Sequence, residues 1–137
     1  MNKVPFRLSA RQVQWILIVG FLTVGYALYL RYLAIEFSPT ALACEAGLQT
    51  WLCKTRLAVT WLFKPLPALD LVLPRAGVLG TTAMVIAVLH VIRPSIVLLT
   101  GGIITAGAGI VLYNISLSGI AIALLILGFA RPAPETA

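Results

Sequence analysis

Four long apolar runs constrain the fold of this chain more than any other feature. They cover residues 13–35, 77–92, 95–113 and 115–130, and none of them contains an aspartate or a glutamate. A helix that spans a bilayer needs about 20 mostly apolar residues, a length that the first run exceeds. The second and fourth runs are shorter, so their spans must borrow flanking residues or thin the bilayer locally. We therefore expect an all-α polytopic membrane protein whose transmembrane helices cover about 11–33, 77–92, 95–113 and 115–130.

Composition supports a single membrane domain over residues 1–137. Hydrophobic residues make up 61% of the chain and charged residues 10%, whereas soluble domains carry about 25% charged residues. The formal net charge of +6 suits nucleic acid, but the basic residues lie beside apolar runs and form no separate basic stripe. We expect contacts with membrane lipids and no nucleic-acid partner.

The first helix has a recognisable start. Ser9 and Gln12 have the spacing of a capping box, in which both side chains satisfy free backbone N–H groups. The apolar run that follows is longer than that of a signal peptide and lacks a clear small-residue cleavage site. We expect a helix that is retained.

Residues 34–76 differ from the apolar runs because they hold most of the acidic residues and several basic ones. Ser38 and Pro39 predict a helix start, with serine as N-cap and proline as the first helical residue. Gly47 predicts the end of that short helix. The segment 48–63 predicts an amphipathic helix lying along the membrane surface. Its apolar side holds Leu48, Trp51, Leu52, Val59, Leu62 and Phe63, and its polar side holds Lys54, Arg56, Thr60 and Lys64.

Orientation is predicted from the charges ahead of the first helix. Lys3, Arg7 and Arg11 crowd its leading edge, and the first helix usually dominates orientation. We expect both termini in the cytoplasm, the loop at 34–76 on the other side of the membrane, and a disordered tail at 132–137.

Cys44 and Cys53 are the only cysteines. On one unbroken helix they would lie about 13 Å apart along the axis and on opposite sides, whereas bridged Cα atoms lie within about 7 Å. A turn at Gly47 brings them together. We expect a structural disulfide outside the cytoplasm, where disulfides persist, contributing about 2–3 kcal/mol.

Two other uses of the cysteines have less support. A quinone-linked thiol oxidase is also a four-helix membrane protein, but it carries a C-x-x-C pair and a second cysteine pair, whereas this chain has one pair with C-x8-C spacing. Two thiols without a nearby histidine leave a zinc site half filled. We expect no metal site.

His90 is the only histidine, so it cannot pair with a second one in this chain to hold a haem from both sides. With Gly80, Ala83 and Ala87 it falls within about 80° on the second transmembrane helix. A histidine on such a face can ligate a chlorin magnesium or one side of a haem. We favour the alternative, an interfacial histidine near Arg93 that hydrogen-bonds a neighbour or a lipid headgroup without a cofactor.

Small residues also align on the last two helices. The stripes are Gly102, Ala106 and Gly109 on the third helix and Ser116, Gly119 and Ala123 on the fourth. Small residues let membrane helices approach closely. We expect these stripes to pack within the bundle, whereas an exposed stripe would receive a partner subunit.

Several function classes lack their characteristic residues. No carboxylate lies in an apolar run, so the embedded coupling group of a secondary transporter, such as the glutamate of small four-helix multidrug transporters, is missing. The single histidine is expected at the opposite membrane face from Asp70 and Glu45, which argues against a serine–histidine–aspartate triad. The sequence therefore leans against an enzyme.

The stretch RYLAIEFSPTALACEAGLQTWLCKTRLAV, together with the later VLYN and the final ARP, resembles small uncharacterised membrane proteins of alphaproteobacteria. The resemblance covers most of the chain. It implies a bacterial source, and it carries over no activity and no site residue.

We expect a non-catalytic accessory or assembly subunit of a larger inner-membrane complex, such as a respiratory or photosynthetic one, with the loop in the periplasm. Aromatic and arginine side chains are favoured at binding surfaces. The expected contacts with a partner or lipid are Trp51, Lys54, Arg56, Trp61, Lys64 and Arg75. One alternative binds or transports a lipid or lipid-linked carrier through the basic members of that set. Others are the thiol oxidoreductase and a cofactor protein based on His90.

Overall fold

A computed structural model describes residues 6–62, 64–68 and 76–130. This part of the chain is all-helical, as predicted, and has no strand beyond one isolated bridge between Pro65 and Gly77. The elements in chain order are α1 (Ala10–Tyr29), a π-helical segment (Leu30–Ile35), α2 (Ser38–Glu45), α3 (Trp51–Leu62), α4 (Val78–Ile92), α5 (Ile96–Val111), α6 (Ile115–Leu127) and a 3-10 turn (Gly128–Ala130). The tail at 132–137 lies outside the described residues.

The capping box at the start of α1 is confirmed. The Gln12 backbone N–H donates to Ser9 Oγ at 3.3 Å, and the Ser9 N–H donates to Gln12 Oε1 at 2.9 Å. The start of α2 differs by one residue from its prediction, because Phe37 is the N-cap and Ser38 is already helical. The Phe37 carbonyl accepts the first helical hydrogen bonds, and Pro39 fits the first turn without a side-chain cap.

The last three helices form the centre of the molecule. Each of α4, α5 and α6 packs against the other two, and α1 packs mainly against α5. Their shared interior is made of small side chains, since Ala83, Ala87, Ala106 and Ala121 are all 0% exposed. Small side chains let the helix axes approach closely, which strengthens van der Waals contact along the whole interface.

The outer surface carries the large apolar side chains. Phe21 on α1 is 75% exposed and Val97 on α5 is 74% exposed, and exposed valine, leucine and isoleucine side chains continue along α4 and α6. A soluble monomer rarely exposes contiguous apolar surface on this scale. The exposed apolar side chains therefore need an apolar environment or other subunits around the bundle.

Within the described residues, one helix is long and apolar enough to cross a membrane, the 26-residue stretch Ala10–Ile35. The core helix of a soluble protein and a signal sequence pass the same test. α1 is not the buried core helix of a soluble protein, because only 11% of the residues in its most apolar 18-residue window are buried. The other apolar helices, Val78–Ile92, Ile96–Val111 and Ile115–Ala130, are shorter.

The bundle has two distinct ends. Glu36 follows the first long helix and meets Tyr113, which follows α5, so these residues define what we call the loop end. At the opposite end, here the terminal end, Phe6 precedes α1 and its ring contacts His90 of α4 and Phe129 of the final turn. The four long helices are α1, α4, α5 and α6, and they therefore alternate in direction. The chain segment that holds α2 and α3 lies at the loop end.

Asn114 fixes the corner between α5 and α6. Its buried side chain accepts the Gly77 N–H at 3.0 Å and donates to the Leu112 carbonyl at 3.4 Å. Tyr113 makes the tight turn with a φ of 66°, a conformation uncommon outside glycine. One amide thus joins the start of α4 to the α5–α6 corner.

We expect Asn114→Ala to lower the free energy of unfolding by about 1–3 kcal/mol, because it leaves the buried Gly77 N–H without an acceptor. Denaturant or thermal unfolding of the purified protein in mild detergent measures the change. Ser116→Ala, an exposed substitution on the same helix, is the matched control. Equal stability of the two variants would contradict this role of Asn114.

Candidate functional site

The disulfide predicted between Cys44 and Cys53 is present, with a Cα–Cα distance of 5.4 Å. The chain bends at Gly47, as the helical geometry required, and Gly47 adopts a φ of 95°. Its N–H donates to the Cys44 carbonyl, while the Leu48 N–H donates to the Ala43 carbonyl. This pair of hydrogen bonds is a Schellman motif, which ends a helix at a left-handed residue. We call α2 and α3, joined by the disulfide, the loop hairpin.

The loop hairpin rests on the main bundle through α3. Val59 of α3 is buried together with Leu30 of the π-helical segment, Ala27 of α1 and Val111 of α5. Cys53 is buried too, and its sulfur accepts a hydrogen bond from the Thr50 hydroxyl at 3.2 Å. The disulfide therefore fastens a hairpin that already packs on three other elements.

A cluster of polar side chains closes the loop end. Arg31 Nε donates to Glu36 Oε1 at 2.7 Å, and the Tyr113 hydroxyl donates to the same oxygen at 2.5 Å. A second Arg31 nitrogen donates to the Val111 carbonyl at 3.1 Å, and the guanidinium carbon lies 4.4 Å from the centre of the Tyr113 ring. The cluster ties the end of the first long helix to the end of α5.

Sequence reasoning missed this cluster. Its one local signal is the spacing of five residues between Arg31 and Glu36, which matches the i to i+5 hydrogen bond of a π-helix. The Glu36 N–H indeed donates to the Arg31 carbonyl at 2.9 Å. The contact with Tyr113 spans 77 residues and has no local signal.

The outer face of α3 carries two tryptophans. Trp51 is 74% exposed and Trp61 is 62% exposed, and Leu57 and Lys54 are exposed between them. The predicted division into an apolar and a polar side is therefore wrong in part, since the tryptophans share a face with a lysine. α3 packs against the bundle through its opposite face, and this leaves the tryptophans and Lys54 together on the outer face.

The other basic residues of the loop are placed differently. Arg56 is half-buried on the inner face, and one of its guanidinium nitrogens is buried without a hydrogen-bond partner among the described residues. Lys64 is exposed beyond the end of α3. Arg75 lies outside the described residues. Of the expected basic face, Lys54 and Lys64 are thus the exposed members among the described residues.

Two of the three small-residue stripes lie inside the bundle. Gly80, Ala83 and Ala87 of α4 and Gly102, Ala106 and Gly109 of α5 are all buried. A Cβ at Gly102 would come within 2.8 Å of the Leu125 side chain, so a larger residue there requires that side chain of α6 to move.

The stripe of Ser116, Gly119 and Ala123 on α6 is exposed, which corrects the expectation that it packs within the bundle. The inner face of α6 is formed instead by Ser118, Ala121 and Leu125. Nothing lies within 4 Å of a Cβ built at Gly119. Small residues occur on both faces of α6, so spacing alone does not select the buried one.

His90 is 0% exposed at the terminal end of the bundle. Its Nδ1 accepts the Ser95 backbone N–H at 3.3 Å, so the neutral ring carries its proton on Nε2. Nε2 has no hydrogen-bond partner among the described residues, and a Cβ at Gly128 would lie 2.6 Å from it. Neither ring nitrogen therefore has a free lone pair, and Nε2 lies against the backbone at Gly128. This geometry does not suit a chlorin magnesium or a haem iron.

A long groove lies between α1 and α6, with α5 as its floor. Its volume is about 880 Å³, and its walls are almost entirely apolar. Among the described residues, Arg7 is the one charged residue that lines it. Elsewhere, the described residues contain no group of three or more histidine, cysteine or acidic side chains that could hold a metal ion.

Comparison with protein-family models, with curated proteins and with solved structures finds no match for this chain.

Hydrogen bonds from Tyr113 and Arg31 lower the pKa of the Glu36 carboxyl below its ordinary value. A carboxyl with a lowered pKa stabilises the folded state above its unfolded pKa, and this contribution is lost as pH falls through the folded pKa. We expect the melting temperature to begin falling near the ordinary glutamate pKa of about 4.3, and to fall less in Glu36→Gln.

Thermal unfolding in detergent from pH 7 down to pH 3 measures this difference. Glu45→Gln, an exposed acid of the same loop, serves as the control and should follow the wild-type profile. Parallel profiles for the wild type and Glu36→Gln would show that the cluster does not hold the loop end.

Proposed function

We propose that this chain is an integral membrane protein with four transmembrane helices and acts as a non-catalytic accessory or assembly subunit of a larger inner-membrane complex. The membrane part rests on the placement of large apolar side chains outside and small ones inside. In a bilayer the large apolar side chains contact lipid tails directly. Membrane helices associate through close packing of small residues, as the interior of this bundle does. Four alternating helices of this kind form a bundle with both termini at one end.

The shorter helices are compatible with spanning. The 15 residues of α4 rise about 22 Å, against a hydrocarbon core of about 30 Å. Flanking apolar residues and local thinning of the bilayer close such a gap at modest cost.

The proposed orientation places the terminal end in the cytoplasm and the loop hairpin in the periplasm of a bacterial inner membrane. Arg7 precedes the first helix and Arg11 lies in its first turn, both at the terminal end, consistent with a cytoplasmic start. The disulfide lies at the loop end, and disulfides persist in the oxidising periplasm. Both features favour the same orientation.

The observation that carries the subunit proposal is the exposed stripe of Ser116, Gly119 and Ala123 on α6. It has the small side chains that let a second membrane helix approach closely, and none of the described helices packs on it. Trp51 and Trp61 offer a second apolar contact on the loop hairpin, which the disulfide and the Arg31 cluster hold in place. A partner subunit can meet both surfaces.

The alternatives have weaker support. A lipid-carrier protein that works through the basic loop face would lose Arg56, which turns inward. A thiol oxidoreductase needs a second cysteine pair, and the chain has two cysteines in all. A cofactor protein based on His90 would require the ring to give up its hydrogen bond with Ser95.

We expect a membrane-protein partner to co-purify in stoichiometric amount from native membranes in mild detergent, and Gly119→Trp to reduce its recovery about tenfold or more. The indole would occupy the space that the partner helix needs. Quantitative mass spectrometry of the purified complex gives the ratio. Gly25→Trp is the matched control, because Gly25 of α1 is also exposed with nothing within 4 Å of its Cβ position.

Purification of the wild type as a monodisperse protein without any other subunit would refute the proposal. Equal recovery of the partner with Gly119→Trp and Gly25→Trp would show that the partner does not bind the α6 stripe.

A further inference from the structure

We infer that the groove between α1, α5 and α6 holds one acyl chain of an anionic phospholipid, with the phosphate of its headgroup paired to Arg7. The inference needs the membrane location proposed above, and it does not depend on a partner subunit. It assigns a specific lipid site on the opposite end of the bundle from the loop hairpin.

The groove exists because α1 leans on α5 and stays apart from α6. Gly20 and Gly107 lie where α1 and α5 face each other: a Cβ at Gly107 would be in van der Waals contact with the Val24 side chain at 3.4 Å, and one at Gly20 with Ile103 at 3.5 Å. On the other side, Ile122 and Ile126 of α6 form the far wall. The gap between the two walls is left open along the bundle.

Length and volume favour an acyl chain as the occupant. Along α1 the groove is lined from Val13 to Val24, a rise of about 17 Å. This is close to the depth of one leaflet, about half of a 30 Å hydrocarbon core. The groove volume of about 880 Å³ is within the range of sites that hold one small ligand, about 300–1,000 Å³.

Charge favours an anionic lipid over a zwitterionic one. Arg7 lines the groove at the terminal end of the bundle. The described carboxylates, Glu36 and Glu45, both lie near the loop end, where they do not compete for Arg7. An arginine binds a phosphate through two parallel N–H···O hydrogen bonds. One phospholipid can thus place its acyl chain in the apolar groove and its phosphate beside Arg7.

The test uses the full-length protein in mild detergent, mixed with equal amounts of phosphatidylglycerol and phosphatidylcholine of the same acyl chains. Native mass spectrometry counts the lipids that stay bound. We expect the wild type to retain one phosphatidylglycerol with about a fivefold preference, as one basic residue near an anionic headgroup provides. Arg7→Gln should remove the preference, and Gly20→Leu should remove binding of both lipids by filling the groove.

Two control variants distinguish a specific loss of lipid binding from general effects of removing a charge or adding a side chain. Arg11→Gln removes a neighbouring exposed charge outside the groove lining, and Gly25→Leu adds the same side chain to α1 away from the groove. Both should behave as the wild type. Because Arg7 is exposed, its substitution tests the site even if Gly20→Leu disturbs the packing of α1.

Three results would overturn the inference: no retained lipid, equal retention of the two lipids by the wild type, or a Gly20→Leu variant that binds like Gly25→Leu. A mass showing a second copy of the chain or another polypeptide displaced by Gly20→Leu would assign the groove to that occupant instead. Loss of the partner subunit in Gly119→Trp, with lipid binding unchanged, would separate this site from the proposed docking face.

Discussion

Close packing of small residues between α4, α5 and α6 is the constraint on which the rest of the structure depends. Fully buried alanines occupy the shared interior, and buried glycines at 80, 102 and 109 let side chains of α6 reach the backbones of α4 and α5. Because small side chains fill most of this interior, with Leu99 and Leu125 as its large members, many of the large apolar side chains lie at the surface. The same packing that holds the bundle therefore creates the surface that needs lipid or protein around it.

The two ends of the bundle are finished in different ways. At the loop end, Asn114, the cluster of Arg31, Glu36 and Tyr113, and the disulfide give specific polar and covalent links between distant parts of the chain. At the terminal end, aromatic and glycine contacts enclose His90, and the exposed charges are basic. In the proposed membrane arrangement, the rigid end faces the periplasm and the basic end faces the anionic cytoplasmic leaflet.

Local rules predicted the elements well, because the signals for them are local. The capping box at Ser9 starts α1, and the need for a bend near Gly47 was correctly tied to the pairing of Cys44 with Cys53. Relations across the chain were not predictable in this way. Which face of α6 is buried depends on where α4 and α5 lie, so the stripe at Gly119 could not be placed from spacing. The inward turn of Arg56 depends likewise on how α3 docks.

Spin-label depth measurements in bilayers decide whether all four long helices lie in the hydrocarbon core. Labels at four exposed apolar positions, Phe21, Val85, Ile104 and Ile120, sample α1, α4, α5 and α6, with exposed Lys54 on the loop hairpin as the control. We expect all four labels to be accessible to oxygen and shielded from a water-soluble nickel complex, and the label at Lys54 to be open to the nickel complex. Shielding at Phe21 alone, with the other three labels open to water, would refute the four-helix membrane arrangement.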